Sequence, residues 1–421
     1  MWNKIRGSLP LQLVFAAGAA WILASGLTHF VYPNGTAEID QQAWYQFLML
    51  GKTVYIGLLK MVVGVMVMLS LIEGISNIGA IAKLKTLGGR TLAFYTFTTM
   101  IAVSLGLGAS LLLPAWQPLT QAVPLAEGTR LIGEQAASGG AIATKLLNMA
   151  LVNPVAAIAD GNLLAVVVFS FMLGISLLSA LPEKHPLFEV INGLNKGINT
   201  MVGGIIRLSP LAIFAIVLEF SLKGSTALFS QLALFALLVF ALTMLHGLVV
   251  LPSLAKLLTG IKISTLFKGI SAPLAMAFAT SSSAATLPLS MRSAQDLGVS
   301  PTTSSMVLPL GSVMNMDGTA LFEGVAAVFL AQLFGVDLTT TGIVMIFIMA
   351  MVSSIGAPGM PSGSMSGMQL VLLAAGIPLE AIAILLIIER PLDTFRTAVN
   401  VEGDIIAALV VDKWQRSEGN N

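Results

Sequence analysis

The sequence predicts an all-α polytopic membrane protein, and three observations predict it. Of 421 residues, 56% are hydrophobic and 10% charged, with a mean hydropathy of +0.91, too little polar material for the shell of a soluble protein. Leu11 to Leu27, Val54 to Ile72, Leu92 to Leu113, Leu163 to Leu181 and Leu232 to Leu251 are apolar runs near the ~20 residues that a spanning helix needs. Beyond about residue 260 the apolar runs are interrupted by small polar residues, the pattern that points to a binding site at membrane depth. A net charge of +1 lacks the basic face of a nucleic-acid binder, so the expected partners are membrane lipid and a small molecule, with no nucleic acid. The absence of cysteine removes disulfides, thiolate metal sites and cysteine catalysis together.

The first apolar run follows "MWNKIRGSLP", a basic flank like that of a signal peptide. The run is long and lacks a small-residue cleavage site, so it reads as a first transmembrane helix. Lys4 and Arg6, then Lys83, Lys85 and Arg90, then Lys256, Lys262 and Lys268, and finally Lys413 and Arg416 mark the cytoplasmic side and put both termini there. Glu38 and Asp40 follow the first run without a base, which suits an outside loop.

Two interruptions read as re-entrant hairpins. In one, "STLFKGISAPLAMAFAT" meets "SSSAATLPLSMRSAQ" at Ser281 to Ser283, two arms each too short to span. In the other, "TGIVMIFIMAMVSS" and "SMSGMQLVLLAAG" flank "IGAPGMPSG", which helix propensity terminates. Irregular backbone at membrane depth is tolerated only where protein or a watery cavity satisfies it. Between the hairpins, Asn315, Asp317 and Thr319 fall at every second position. A regular helix would turn neighbours of that set to opposite faces, whereas an unwound turn gathers carboxylate, amide and carbonyl oxygens around one point, as a desolvated Na⁺ requires.

The segment "DTFRTAVNVEGD" places five polar residues on one face of an apolar helix. At about 100° per residue, Asp393, Arg396, Thr397, Asn400 and Asp404 share a stripe and Glu402 points away. Aspartate pairs with an ammonium, arginine with a carboxylate, and a carboxylate beside an amide completes a cation site. The stripe matches a zwitterion with an acidic side chain; the bland alternative is an internal Asp393 to Arg396 ion pair that joins helices.

With "SSSAATLP", "NMDGT", "SSIGAPGMP" and "DTFRTAVNVEGD" in this order, the chain resembles the glutamate/aspartate:sodium symporter family, also called the dicarboxylate/amino acid:cation symporters. The resemblance implies eight transmembrane helices plus two re-entrant helical hairpins, a homotrimer in the cell (inner) membrane, and an elevator-type transporter. It implies scaffold helices 1-2 in 1–75, transport-domain helix 3 in 76–120, scaffold helices 4-5 in 121–225, the rest of the transport domain in 226–414, and a tail in 415–421. The implied function is sodium-coupled uptake of L-aspartate or L-glutamate, the alternative being a neutral amino acid, cystine or a C4-dicarboxylate.

By position, Asp393 resembles the residue that holds the substrate amino group and Arg396 the one that holds its side-chain carboxylate, with Thr319 and Thr397 assisting. Asn400 and the tip around Ser283 are implied to hold the main-chain carboxylate. One sodium site is implied at Gly311, Asn315, Asn400 and Asp404, and a second at Tyr95, Thr98, Thr99, Asn315 and Asp317. A third is implied on backbone carbonyls near Val313 and from Ser354 through Ile355 to Ala357, as the second hairpin closes. That hairpin, with Gly356, Pro358, Gly359 and Pro361, is the implied gate, and its Pro358 to Ser364 stretch departs from the family's small-residue run. Arg390 is assigned no motif role and is expected to pair with Glu389 or another buried acid.

Glu323 sits in an apolar helix with no base nearby in sequence. Desolvation disfavours its charged form, so protonation is expected during part of a cycle. Its position resembles the family's proton-carrying glutamate, which implies H⁺ co-transport and return with K⁺; the alternative is a permanently neutral glutamate or one paired with Arg390 or Arg396. Two other classes are weighed. A serine hydrolase at Ser281 to Ser283 needs a base, and His29, His185 and His246 all precede the motif-bearing region. A passive anion channel is distinguished by the absence of saturable, sodium-dependent uptake.

Overall fold

The structure, a computed structural model, describes residues 9–32, 38–76, 87–118, 144, 147–182, 184–223, 226–356, 359, 363–377 and 381–419. Lys4, Arg6, Lys83, Lys85, Ala357, Pro358 and Pro361 lie outside the described residues. The first half contains α1 (Leu9–Gly26), α2 (Ala43–Ser76), α3 (Gly89–Leu112), the short α4 (Pro154–Ala159), α5 (Leu163–Ala180), α6 (Pro186–Ile206) and α7 (Ser209–Leu222). The second half contains α8 (Thr226–Leu245), α9 (Leu251–Thr259), α10 (Ile263–Thr280), α11 (Ser283–Asp296), α12 (Pro301–Met314), α13 (Asp317–Leu333), α14 (Thr340–Gly356), α15 (Ser364–Ala375) and α16 (Ile382–Gly419).

Among the described residues, 7 helical stretches are long and apolar enough to cross a membrane, or 8 when α6 and α7, bent by 43° at their junction, form one span. The protein is a multi-pass membrane protein. One expectation changes: α10, the first arm of the Ser281 hairpin, has 18 residues and passes the length test by itself. At its end the chain reverses: Ser281 adopts φ 51 and α11 packs against α10.

Local sequence explains the boundaries. Gly260, at φ 79, ends α9 in the left-handed conformation that glycine adopts at little cost. Ser300 caps α12 by accepting from the Thr303 amide, and Pro301 follows at the first turn, where its missing donor costs nothing. Pro273, Pro288, Pro309 and Pro391 lie inside α10, α11, α12 and α16, each removing a backbone donor from its helix.

In the first half, α7 lies against α1, and α2 packs on α5, α6 and α7. In the second, α16 is the axis: α10, α11, α12 and α13 surround it, and nearly every residue from Leu392 to Val411 is buried. At ~1.5 Å per residue its 38 residues run ~57 Å. Its charged residues exclude it from the apolar spans because protein surrounds it in place of lipid. α3 lies along α13, which carries the Tyr95 to Thr99 segment into the second half.

Candidate substrate and cation site

The turn between α10 and α11 meets the segment between α14 and α15 at one carbonyl. Ser282 caps α11 by accepting from the Ala285 amide, and its hydroxyl donates to the Gly359 carbonyl at 2.8 Å. The Ala284 amide donates to the same carbonyl at 3.0 Å. A Cβ at position 359 would collide with the Ser312 carbonyl, so glycine permits this approach. Ser281, the one non-glycine residue with positive φ among those described, carries backbone strain of ~1–3 kcal/mol, the kind that a surrounding structure holds in place at functional sites.

Beneath the tips, Ser281, Ser283, Thr319, Ser364, Asp393, Thr397 and Asn400 line a small pocket together with Met316 and Gly359. Five of the six expected substrate residues are thus brought together. The sixth, Arg396, is fully buried and does not line this pocket. One of its nitrogens, Nη2, donates to Glu389 Oε1 and to Asp393 Oδ1, both at 3.1 Å, and its guanidinium stacks 4.0 Å from the Phe322 ring centroid. Arg396 Nε and Nη1 have no partner among the described residues. Arg390 pairs with Asp393 at 3.7 Å, the buried-acid role expected of it. Thr397 donates to the Asp393 carbonyl one turn back.

The polypeptide is interrupted where expected: Asn315 and Met316 separate α12 from α13. Asn315 donates to Asp404 Oδ1 at 2.9 Å while its own Oδ1 stays buried without a partner among the described residues. Asn400 accepts from the Gly318 amide at 2.8 Å and reaches Thr319 Oγ1 at 3.4 Å. A Cβ at Gly311 would meet the Asp404 carboxylate and, at 2.5 Å, the Tyr95 hydroxyl. Gly311, Asn315 and Asp404 therefore share one location, with Asn400 on the same helix one turn before Asp404. The second set assembles about Asp317, whose Oδ1 accepts from Thr99 at 2.7 Å and Thr98 at 3.3 Å. Tyr95 stands beside both sets, its hydroxyl donating to the Val307 carbonyl at 2.8 Å.

For the third set, Met314, Ser354 and Ile355 line a common cavity between α3, α12 and α14, whose lining is mostly apolar. The Val313 side chain faces α2, where it touches Gly74, so only its backbone is available to a cation. Gly356 ends α14, and Ala357 lies outside the described residues. Among the described residues no trio of His, Asp and Glu gathers, so a cation held by these sets would rest on mixed amide, hydroxyl, carbonyl and carboxylate oxygens.

Glu323 is fully buried and accepts from Ser353 Oγ at 2.8 Å, with Oε2 unpartnered among the described residues. Among the described residues no ion pair joins it to Arg390 or Arg396. Glu402 faces the opposite side of α16, as the stripe requires, against Gly247. His246 went unrecognised by sequence reasoning. It starts a π-helical turn, His246–Val250, and its Nε2 lies 3.1 Å from Asp317 Oδ2 with both side chains fully buried. A lone ionisable residue inside the Leu232 to Leu251 run was the available signal. Its partner is Asp317 rather than the serines at 281 to 283.

The chain is similar to known proteins over most of its length. The family model for the sodium:dicarboxylate symporter family matches residues 9–414. The chain is 30% identical to the proton/glutamate-aspartate symporter of Escherichia coli (strain K12), across 98% of this chain and 94% of that one. It is 28% identical to the proton/sodium-glutamate symport protein of Geobacillus stearothermophilus, across 86% of each chain, and 34% identical to neutral amino acid transporter B(0) of Oryctolagus cuniculus, across 85% of this chain and 72% of that one. A match that runs from the first described helix to the end of the buried part of α16 takes in both hairpin segments, the Asn315 break and the polar stripe, and the chain belongs to the sodium:dicarboxylate symporter family.

Proposed function

We propose that this protein, a transporter and not an enzyme, carries acidic amino acids, L-aspartate or L-glutamate, inward with sodium. The observation that carries this reading is the pocket under the hairpin tips, where Asp393, Thr319, Thr397, Asn400 and Ser283 converge with Arg396 directly behind Asp393. Asp393 would take the ammonium, and Asn400 with the Ser283 tip the main-chain carboxylate. Arg396, through donors left without partners among the described residues, would take the side-chain carboxylate. Sodium would be held at Gly311, Asn315, Asn400 and Asp404, at Tyr95, Thr98, Thr99, Asn315 and Asp317, and at the carbonyls of Val313 and Ser354 to Ala357. Glu323 would carry a proton, with K⁺ bound on return.

In this reading α10–α11 and α14–α15 are re-entrant hairpins, the second, with Gly356, Pro358, Gly359 and Pro361, being the gate. Residues 76–120 and 226–414 move as a transport domain against a scaffold of 1–75 and 121–225 in a homotrimer of the inner membrane, termini cytoplasmic, with 415–421 as a tail. Two relatives are named for glutamate transport, which supports an acidic substrate. Uptake of labelled aspartate into proteoliposomes, driven by a sodium gradient and competed by glutamate, serine, cystine and succinate, tests it. Inhibition by serine or succinate with none by glutamate would defeat the acidic assignment. One observation favours a second reading with neutral substrates: Arg396 already has a carboxylate partner in Glu389.

A further inference from the structure

Glu389 is 1% exposed and lies one turn before Asp393 and two before Arg396 on α16. Its Oε1 accepts from Arg396 Nη2 at 3.1 Å and lies 3.5 Å from Ser364 Oγ at the start of α15, so it touches both the guanidinium and the second hairpin. Around Arg396, Glu389 and Asp393 are set against Arg396 and Arg390. Glu323, held by Ser353, is a further acid within electrostatic range of Arg396, without a hydrogen bond to it among the described residues.

We propose that Glu389 is a specificity-determining residue, an internal carboxylate that shares Arg396 with the substrate and so lets the pocket accept neutral amino acids beside acidic ones; this rests on the amino-acid transport reading above. The reasoning follows the guanidinium. When a substrate ammonium engages Asp393, that carboxylate is drawn from Arg396. Without Glu389, a neutral substrate would then leave a buried guanidinium with no carboxylate hydrogen-bonded to it, an arrangement that is strongly disfavoured. With Glu389 in place Arg396 keeps a partner whatever the side chain of the substrate. An acidic substrate still finds Nε and Nη1, but meets like charge from Glu389, which lowers its advantage over a neutral one.

The test uses the full-length protein, wild type and the variants Glu389→Gln and Glu389→Asp, in proteoliposomes. It reads competition of labelled aspartate uptake by serine and by glutamate, and the rise in Tm of the purified protein with aspartate or serine. Wild type is expected to respond to both substrate types. Glu389→Gln is expected to raise the preference for aspartate over serine by about tenfold or more, because the like charge beside the substrate's side-chain carboxylate is removed. Glu389→Asp is expected to retain the wild-type ratio. If Glu389→Gln stops uptake, the Tm arm reads the same ratio at the binding step. The proposal is overturned by a wild-type protein that ignores serine, by an unmoved or lowered ratio in Glu389→Gln, or by loss of protection by every substrate in both variants. A wild type that takes serine and ignores aspartate would instead remove the acidic assignment, while the proposal still requires Glu389→Gln to gain aspartate.

Discussion

Replacing Gly311 with alanine adds one methyl group at the point where α12 crosses α16. The new carbon would overlap the Asp404 carboxylate and stand 2.5 Å from the Tyr95 hydroxyl and 2.7 Å from Asp404 Cγ. Neither neighbour can yield cheaply, because Asp404 and Tyr95 are 4% and 2% exposed. Overpacking of this kind costs ~1–3 kcal/mol. Turning the Asp404 carboxylate aside also breaks the hydrogen bond from Asn315, a bond to a charged group worth ~1.5–3 kcal/mol. If the cation site lies where Asp404 and Asn315 meet, most of that ~3–5 kcal/mol appears as weaker sodium binding, two to three orders of magnitude at ~1.4 kcal/mol per tenfold. The assay is the sodium concentration that gives half of the substrate-induced rise in Tm, with uptake measured alongside. Gly324→Ala on the neighbouring α13 is the control, because its added carbon meets nothing nearer than 3.8 Å. It should leave sodium dependence unchanged and gain ~1 kcal/mol of helix propensity. An unchanged sodium midpoint in a folded Gly311→Ala protein would refute the placement of the site.

Three further outcomes are expected. Arg396→Thr should lose acidic substrates by more than ~100-fold, because the substrate's side-chain carboxylate loses the guanidinium proposed to meet it, and removing one partner of a buried pair costs ~3–5 kcal/mol; aspartate protection at wild-type affinity would make Arg396 structural. Asp317→Ala deprives Thr98, Thr99 and His246 of one common acceptor and should weaken sodium dependence more than substrate affinity at saturating sodium, read as two separate titrations. Glu323→Gln should abolish substrate-driven acidification of dye-loaded vesicles while exchange persists; wild-type uptake with no acidification under a clamped potential would remove the proton.

The parts of the fold that were legible in the sequence are those where one residue type forces one outcome. The apolar runs could only be helices in lipid, and Asn315 with Asp317 could not share a regular helix face without exposing a polar group. The α16 stripe was legible because 3.6-residue periodicity fixes which side chains are neighbours on one helix. Relations between helices were not legible. Nothing in the spacing of "AIAILLIIER" says that Glu389 turns inward to meet Arg396, so of the two carboxylates on the guanidinium only Asp393, given as the alternative internal pair, was legible. His246 was passed over for the same reason: its partner lies 71 positions away on another helix. The length of α10 was not legible either: the arm expected to be too short to span runs to 18 residues and passes the length test.

The amide of Asn315 is a party wall. Its Nδ2 holds Asp404, and a Cβ at Gly403 would stand 3.0 Å from that same nitrogen and 3.8 Å from Asp317 Oδ2, so the carboxylates of the two proposed cation sets both lie close to one side chain. A cation that draws the Asn315 oxygen toward one carboxylate changes what the other site is offered. Neither affinity is then a property of one site alone: whatever factor the first ion applies to the second, the second returns to the first. Cutting Asn315 back to alanine should leave two weaker sites that fill independently, and a sodium titration that loses steepness as well as midpoint.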